Sequence, residues 1–506
     1  MKLPDFIAAF ARATPNREAI ACDGVRLSFG ELHEQSTRVA LGLAGRGVQV
    51  GDRVAICLTN RVEFVVAFLA CIKAGAVAVT LNPRYAAAEL AYMLADSGAK
   101  AVFFEDETRG TVTRSGVPIP VRITCDRAAE GGEVAYAALL ESEGRLPDVP
   151  PEFDDCQIQY TSGTTGKAKG AIITQANYIV ANGYCNIWLW GMTAADRVLT
   201  TTPLAHRTAF SRLMNTFTIG SSIVIMKRFD AREAARLIES EGITLLGMVP
   251  TVGRMLLPEI EANPSRFRNL RLAVVTGEAF PVEVKRRLAS ALPHLKLVSF
   301  FAMTEMGALT CLGPDPAEQV AKAASVGRVV PGVEVKLVDE HGNEVKPGET
   351  GEIAVRSGVP GSFVTMRGYF NKPEATAETI RNGWVHTGDM GRFDEDGYLY
   401  IVDRKKDMVL SGGYNIYSKE VESAILELAG VQDVAVVGVP DEIYGESVAA
   451  FIELAPGAKL EADRVVAHCR DRMASYKKPK HVRFVEALPR NSSGKVLKFQ
   501  LREQFK

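Results

Sequence analysis

Short apolar strands alternate with helices through the first part of the chain, and that alternation constrains the fold more than any other feature. Val54–Leu58 reads as a buried strand and Val62–Ala74 as a helix stopped by Gly75. Val77–Thr80 follows as a strand, then Ala86–Ser97 as a helix and Ala101–Phe104 as a strand. Upstream, Phe29–Ala44 reads as a helix with Ser28 as its N-cap and Gly45 just past its end. Strands separated by helices predict α/β layers with parallel strands. Residues 105–155 are less regular and carry the proline-rich Leu146–Pro151, so they are expected to connect two lobes of one large domain. From about 158 the alternation resumes. From Gly327 through Arg356, turn-separated strands predict a small β-rich lobe, and from about 405 helices and strands alternate again.

Composition narrows the function classes. The chain has 506 residues, enough for two to four domains, and 59 Lys+Arg stand against 60 Asp+Glu. That balance argues against a nucleic-acid surface as its main business. The longest apolar run, Phe64–Ile72, ends at Lys73. A membrane-spanning helix needs about 20 apolar residues, so no span is expected. The N-terminal stretch, charged at Asp5 and Arg12, lacks the pattern of a signal peptide. Eight scattered cysteines form no CxxC pair and show no zinc-ligand spacing, which predicts buried reduced thiols and a cytoplasmic setting.

The sharpest local signal is Tyr160-Thr-Ser-Gly-Thr-Thr-Gly-Lys-Ala-Lys-Gly170, with four Ser/Thr, three Gly and two Lys in eleven positions. Glycines let successive backbone N–H groups close around an anion, hydroxyls add donors, and lysine adds charge. Gln157–Tyr160 reads as a strand entering this loop. The pattern suits a polyphosphate cradle, although composition alone fits a flexible surface loop equally well. A P-loop would need G-x-x-x-x-G-K-[ST], whereas only two residues separate Gly163 from Gly166 and Ala168 stands where Ser or Thr should be.

With this loop in place, the sequence resembles the adenylate-forming superfamily of acyl- and aryl-CoA synthetases, peptide-synthetase adenylation domains and firefly luciferase. The resemblance covers nearly the whole chain in order. It runs through Lys73-Ala-Gly75, Leu81-Asn-Pro83, Pro203-Leu-Ala-His206, Gly277-Glu-Ala279, Phe301-Ala-Met-Thr-Glu305 and Gly368-Tyr-Phe370. It continues through Trp384–Asp389, Asp403–Asp407, Ser411–Asn415 and Asn491-Ser-Ser-Gly-Lys495. The fold it implies is α/β. A large multi-lobed N-terminal domain of sheets flanked by helices, with the small β-rich lobe, would span 1–403. A small mobile α+β C-terminal domain would span 404–506, with its hinge near Lys406.

The implied reaction is an ATP-dependent ligation of a carboxylic acid to coenzyme A through an acyl-AMP. Thr161, Ser162, Gly163, Thr164, Thr165, Gly166 and Lys169 would hold the outer phosphates, Thr304 the α-phosphate, and Glu305 a Mg²⁺ ion. Gly277, Glu278 and Ala279 would form an adenine-site loop, with Phe301 stacking on the base beside Ala302 and Met303. Asp389 would accept both ribose hydroxyls, with Arg404 close by. Lys495 would neutralise charge at the carboxylate–phosphate junction in the first step. Lys406 would be the pivot, and Gly412 and Gly413 would line the pantetheine channel. His206 would gate the acyl site. The partners implied are the small-molecule acid, ATP and CoA; a homodimer is left open.

Three positions depart from the family pattern. Ala302 replaces a glycine and takes volume between the adenine platform and the acyl pocket. Ala168 and Ser418 stand where proline is usual, with no consequence expected. The acyl pocket would be lined by some of Trp188, Trp190, His206, Thr208, Ala209, Phe301, Ala302 and Met303. No acidic residue lies between Pro203 and Asn215 to receive an ammonium, which predicts a non-amino acid as substrate. Two alternatives stay open: thioesterification of a supplied acyl-adenylate only, and loading of an acyl carrier protein.

Overall fold

The computed structural model describes residues 2–126, 129–161, 168–276, 280–412, 414–490 and 496–505. Contacts divide the chain into two compact units, residues 1–335 with 355–385 and residues 336–354 with 386–506.

The first unit is built on two sheets. One has eight strands in the order Gly368–Tyr369, Lys169–Thr174, Asp155–Thr161, Val77–Thr80, Arg53–Cys57, Ala101–Phe104, Val121–Thr124, Val134–Ala135. The pairs from Asp155–Thr161 through Val134–Ala135 are parallel, as the alternation predicts, and Lys169–Thr174 joins antiparallel. The other has nine strands, with Lys296–Met303, Leu272–Val275, Leu245–Met248 and Arg197–Thr200 as consecutive parallel neighbours. Helix Phe29–Ala44 starts at Ser28, whose hydroxyl accepts from the Glu31 N–H while Glu31 reaches back to the Ser28 N–H.

Helix Val62–Lys73 explains the longest apolar run. It is buried on every side, which places it between layers and not on a surface. Its side chains share one core with Val54 and Ile56 of the first sheet and Val198, Leu245 and Val274 of the second. Helix Arg207–Ile219 joins that core through Phe210, which meets Phe68 edge-on at 4.5 Å between ring centroids. Each such buried ring is worth about 1.5–3 kcal/mol.

Residues 105–155 do more than connect lobes. Helix Asp106–Arg114 crosses to strand Val121–Thr124, which pairs in parallel with Ala101–Phe104, and Val134–Ala135 then extends the same sheet. The helix buries only Thr108 and Val112, so its apolar stripe is too thin to mark a periodicity.

In the second unit, strand Leu399–Arg404 lies antiparallel to Trp384–Phe393 and sets Asp389 opposite Arg404. The C-terminal part is α+β. Strands Val409–Ser411, Tyr414–Ile416, Val431–Asp441, Gly445–Leu454 and His481–Val485 form one sheet. Helices Ser418–Leu426 and Ala462–Arg472 cover one face through Val421, Ile425 and Val465, and Leu501 packs on the other against Val437 and Phe451. Ser418 has a consequence after all. Its N–H and hydroxyl both donate to the Asp403 carboxylate, and its oxygen accepts from Lys498 Nζ at 2.7 Å. A proline there could make none of these bonds.

Candidate active site

In the first unit the residues singled out by sequence gather at the carboxyl ends of strands, where open α/β sheets bind ligands. Asp155–Thr161 and Lys169–Thr174 form a hairpin whose last pair is Thr161 with Lys169, and the Thr161 hydroxyl donates to the Lys169 carbonyl at 3.4 Å. The tip of that hairpin, including Ser162, Gly163, Thr164, Thr165 and Gly166, lies outside the described residues, as do Gly277, Glu278 and Ala279.

Thr304 and Glu305 are the two-residue turn joining Lys296–Met303 to Met306–Leu312. Glu305 is buried, and its Oε1 accepts from the Tyr369 hydroxyl at 2.8 Å. Burial and the Glu305 charge push the Tyr369 phenol well above its ordinary range, so it stays protonated and donates. The backbone fixes this arrangement from both sides: Met366 N–H donates to the Glu305 carbonyl at 2.8 Å, and Phe370 N–H donates to the Gly170 carbonyl at 2.8 Å. Lys169 Nζ lies 5.1 Å from the centre of the Tyr369 ring. Lysine, phenol and carboxylate thus form one continuous chain at the end of the Thr161–Lys169 strand pair. Tyr369 falls within Gly368–Phe370, but sequence reasoning gave it no role; a hydroxyl on a two-residue edge strand carries no local signal of its distant acceptor.

His206 caps helix Arg207–Ile219, and its Nε2 lies 3.0 Å from the amide nitrogen of Asn82. The Asn82 carbonyl oxygen is taken by the Arg84 N–H at 2.9 Å, which turns the amide nitrogen toward the imidazole. Nε2 therefore accepts and Nδ1 carries the proton. Burial and the Arg84 charge lower the pKa of the ring, so it is neutral at physiological pH. Asn82 is a second residue whose role the sequence does not reveal.

Phe301, Ala302 and Met303 form the end of strand Lys296–Met303, and its pairing slips on either side of Ala302. Of the two tryptophans named as pocket candidates, Trp190 is buried against Phe300, with ring centroids 5.3 Å apart, whereas Trp188 is 69% exposed and lines no interior. Among the described residues no cluster of three or more His, Cys, Asp or Glu could hold a metal, so Glu305 offers a single carboxylate. A Mg²⁺ ion that shares its ligands with phosphates needs no more than one or two.

The second unit holds the remaining residues. Asp389 is buried, and its Oδ1 accepts from Arg404 Nε at 2.9 Å. The Lys406 carbonyl accepts from Arg502, and burial lowers the pKa of the Lys406 ammonium. Gly412 has φ +57° and an N–H bonded to the Tyr444 carbonyl, and a Cβ there would come within 3.2 Å of the Tyr444 ring. Gly413 and Lys495 lie outside the described residues; Arg490 and Val496, on either side of Lys495 in the chain, pair as an antiparallel bridge.

Comparison with known proteins fits this arrangement. The family model of the AMP-binding enzymes matches residues 7–370, and that of the AMP-binding enzyme C-terminal domain matches 420–495. The chain is an AMP-binding enzyme of the adenylate-forming superfamily. It is 36% identical over 498 residues to a feruloyl-CoA synthase of Amycolatopsis, covering 98% of this chain and 97% of that one. It is 36% identical over 492 residues to the long-chain-fatty-acid–CoA ligase FadD13 of Mycobacterium tuberculosis, covering 95% and 93%. Among solved structures, o-succinylbenzoate CoA synthetase from Bacillus subtilis, in complex with the acyl-adenylate intermediate OSB-AMP, superposes with a TM-score of 0.87. It shares 29% identity and covers 99% and 98% of the two chains. Among the described residues no helix is long and apolar enough to cross a membrane.

Proposed function

We propose that this enzyme is an ATP-dependent carboxylic acid–CoA ligase that works through an acyl-AMP followed by thioesterification. The observation that carries the reading is the chain Lys169–Tyr369–Glu305 at the end of the Thr161–Lys169 strand pair. A lysine at the loop neutralises phosphate charge, and a buried carboxylate held by a phenol is oriented before the nucleotide arrives. Glu305 would hold a Mg²⁺ ion, which would supply charge neutralisation at the phosphates.

A carboxylate is a poor electrophile near neutral pH, and phosphoryl-type transfer depends on positioning and on charge neutralisation. Thr304 and Lys169 hold phosphate oxygens, and the Asp389 carboxylate, already fixed by Arg404, accepts the ribose hydroxyls. His206, neutral and held by Asn82, takes no proton. It closes the acyl end against water. Lys495 stabilises the charge that develops as the substrate carboxylate attacks the α-phosphate and pyrophosphate leaves. The division at 403/404 with Lys406 as pivot would then exchange Lys495 for Gly412–Gly413 and the CoA thiol, which displaces AMP. Eight cysteines, all without a disulfide, suit a reducing compartment.

The test is a panel of carboxylic acids with ATP and Mg²⁺, scored for pyrophosphate release and, with CoA added, for thioester. At least one acid should give both products in equal amount. Thioester from presynthesised acyl-AMP, without pyrophosphate release from any acid, would replace this reading by thioesterification alone.

A further inference from the structure

Arg212 forms no ion pair among the described residues. It lies in the middle of helix Arg207–Ile219, is only 3% exposed, and its Nη1 is sealed from solvent without a hydrogen bond. Among the described residues no carboxylate contributes to its charge balance. Burial alone sets its titration and pulls the guanidinium down to about 9. Its one notable neighbour is the Trp190 ring, 4.9 Å away. A buried cation without a counter-ion costs several kcal/mol, and such groups in native proteins are nearly always paired.

The surroundings are shaped for this side chain. Gly247, in the central strand Leu245–Met248, leaves room for its aliphatic stem; a Cβ at Gly247 would lie 2.6 Å from Arg212 Cγ and 2.8 Å from Cδ. Thr200, the strand partner of Gly247, is fully buried with its hydroxyl unpaired. Asn215 Nδ2 and Thr216 Oγ1, next along the helix, are also unpaired. From Gly247 the arginine reaches toward Trp190, which packs on Phe300, the residue before Phe301–Thr304. Along the helix, Arg212 lies six positions beyond His206, a rise of about 9 Å. Through Trp190 and Phe300 the guanidinium connects to the strand end Phe301–Met303, which the ligase reading places beside the acyl group.

We propose that the acid activated by this enzyme carries a second acceptor oxygen at its far end, in a carboxylate, carbonyl or phenol group, and that Arg212 receives it. The inference rests on the ligase reading. It makes Arg212 a specificity-determining residue and the unpaired amide and hydroxyls its supporting donors. An acceptor arriving with the substrate supplies the missing partner, and a hydrogen bond to a buried charged group is among the stronger ones available.

The experiment uses acids in matched pairs, each chain ending once in a methyl group and once in a carboxylate, ketone or phenol. Wild-type enzyme should favour the oxygen-ended member of at least one pair by about tenfold or more in kcat/KM for the acid. Arg212→Met keeps the stem over Gly247 and should lose roughly ten- to a hundredfold on that member while holding the methyl-ended one within a few-fold. Its melting temperature should not fall, because an unpaired buried charge has been removed. A wild-type preference for methyl-ended acids, or an equal loss on both members, would overturn the proposal, as would a lowered melting temperature without altered discrimination. If no acid releases pyrophosphate, the ligase reading fails separately. Melting shifts with each acid alone then decide: oxygen-ended acids must raise the wild-type midpoint and leave Arg212→Met unmoved, and any other pattern refutes the site.

Discussion

Replacing Tyr369 by phenylalanine isolates one atom of the proposed nucleotide site. The hydroxyl donates to Glu305 Oε1 at 2.8 Å, and the acceptor is a buried carboxylate. Phenylalanine keeps the ring, and so keeps the contact with Lys169 at 5.1 Å, while deleting only the donor. A hydrogen bond to a charged group is worth about 1.5–3 kcal/mol, and each 1.4 kcal/mol is about tenfold. If Glu305 must be held in place to receive Mg²⁺ with ATP, kcat/KM for ATP in pyrophosphate release should fall roughly ten- to a hundredfold. Raising free Mg²⁺ should recover part of the loss, because the carboxylate remains and only its orientation is loosened. Thioester formation from presynthesised acyl-AMP should change little, since no pyrophosphate leaves in that step. An ATP dependence within about twofold of wild type would refute the reasoning, because a 2.8 Å bond to a buried carboxylate cannot be silent if that carboxylate works.

Asp389→Ala should weaken AMP binding roughly ten- to a hundredfold by calorimetry. The fold should hold, since Arg404 keeps its access to solvent; an unchanged affinity would remove Asp389 from the ribose. Lys495→Ala should lower activity from acid, ATP and CoA about a hundredfold while leaving the conversion of acyl-AMP and CoA near the wild-type rate, and loss of both activities would mean a shared or structural role. Lys73 tests a buried charge in the core. Its Nζ donates to the His33 carbonyl at 2.7 Å and to Thr37 Oγ1 at 2.8 Å, yet burial pulls its pKa down from 10.5 to about 7. Between those values the unfolded chain holds a proton that the native one lacks, so stability must rise with pH. The stability of wild type relative to Lys73→Met, measured by denaturant unfolding of the first unit, should therefore grow from about pH 7 to about pH 9, by up to about 1.4 kcal/mol per pH unit. Parallel pH profiles for the two proteins would contradict the shift.

Much of this enzyme is legible in its sequence because it is local. Ser28 and Glu31 box the start of a helix within one turn, and Gly75 ends another. The order of strands and helices follows from apolar spacing, and the glycine-rich loop declares its chemistry within eleven positions. The family motifs are short runs whose members are neighbours in the chain. Where the local signal was thin, as in helix Asp106–Arg114 with two buried side chains, a sheet-building crossover was mistaken for a connection. Likewise Ser418 looked inert until Asp403 and Lys498 were seen to share it.

Tertiary structure alone decided which distant groups meet. Tyr369 and Glu305 are 64 positions apart, and Asn82 and His206 are 124 apart. Neither pairing can be read from spacing, because each joins a strand end of the eight-stranded sheet to one of the nine-stranded sheet. Arg212 shows the same limit from the other side. In the sequence it is one more arginine on a mixed helix. Only the packed sheet, with a glycine beneath its stem and no ion pair among the described residues, makes it a buried charge without a counter-ion there. A cation exposed to water needs no explanation, whereas one sealed in a core requires an anion or an acceptor, and burial is a property that the fold confers and the chain alone does not carry.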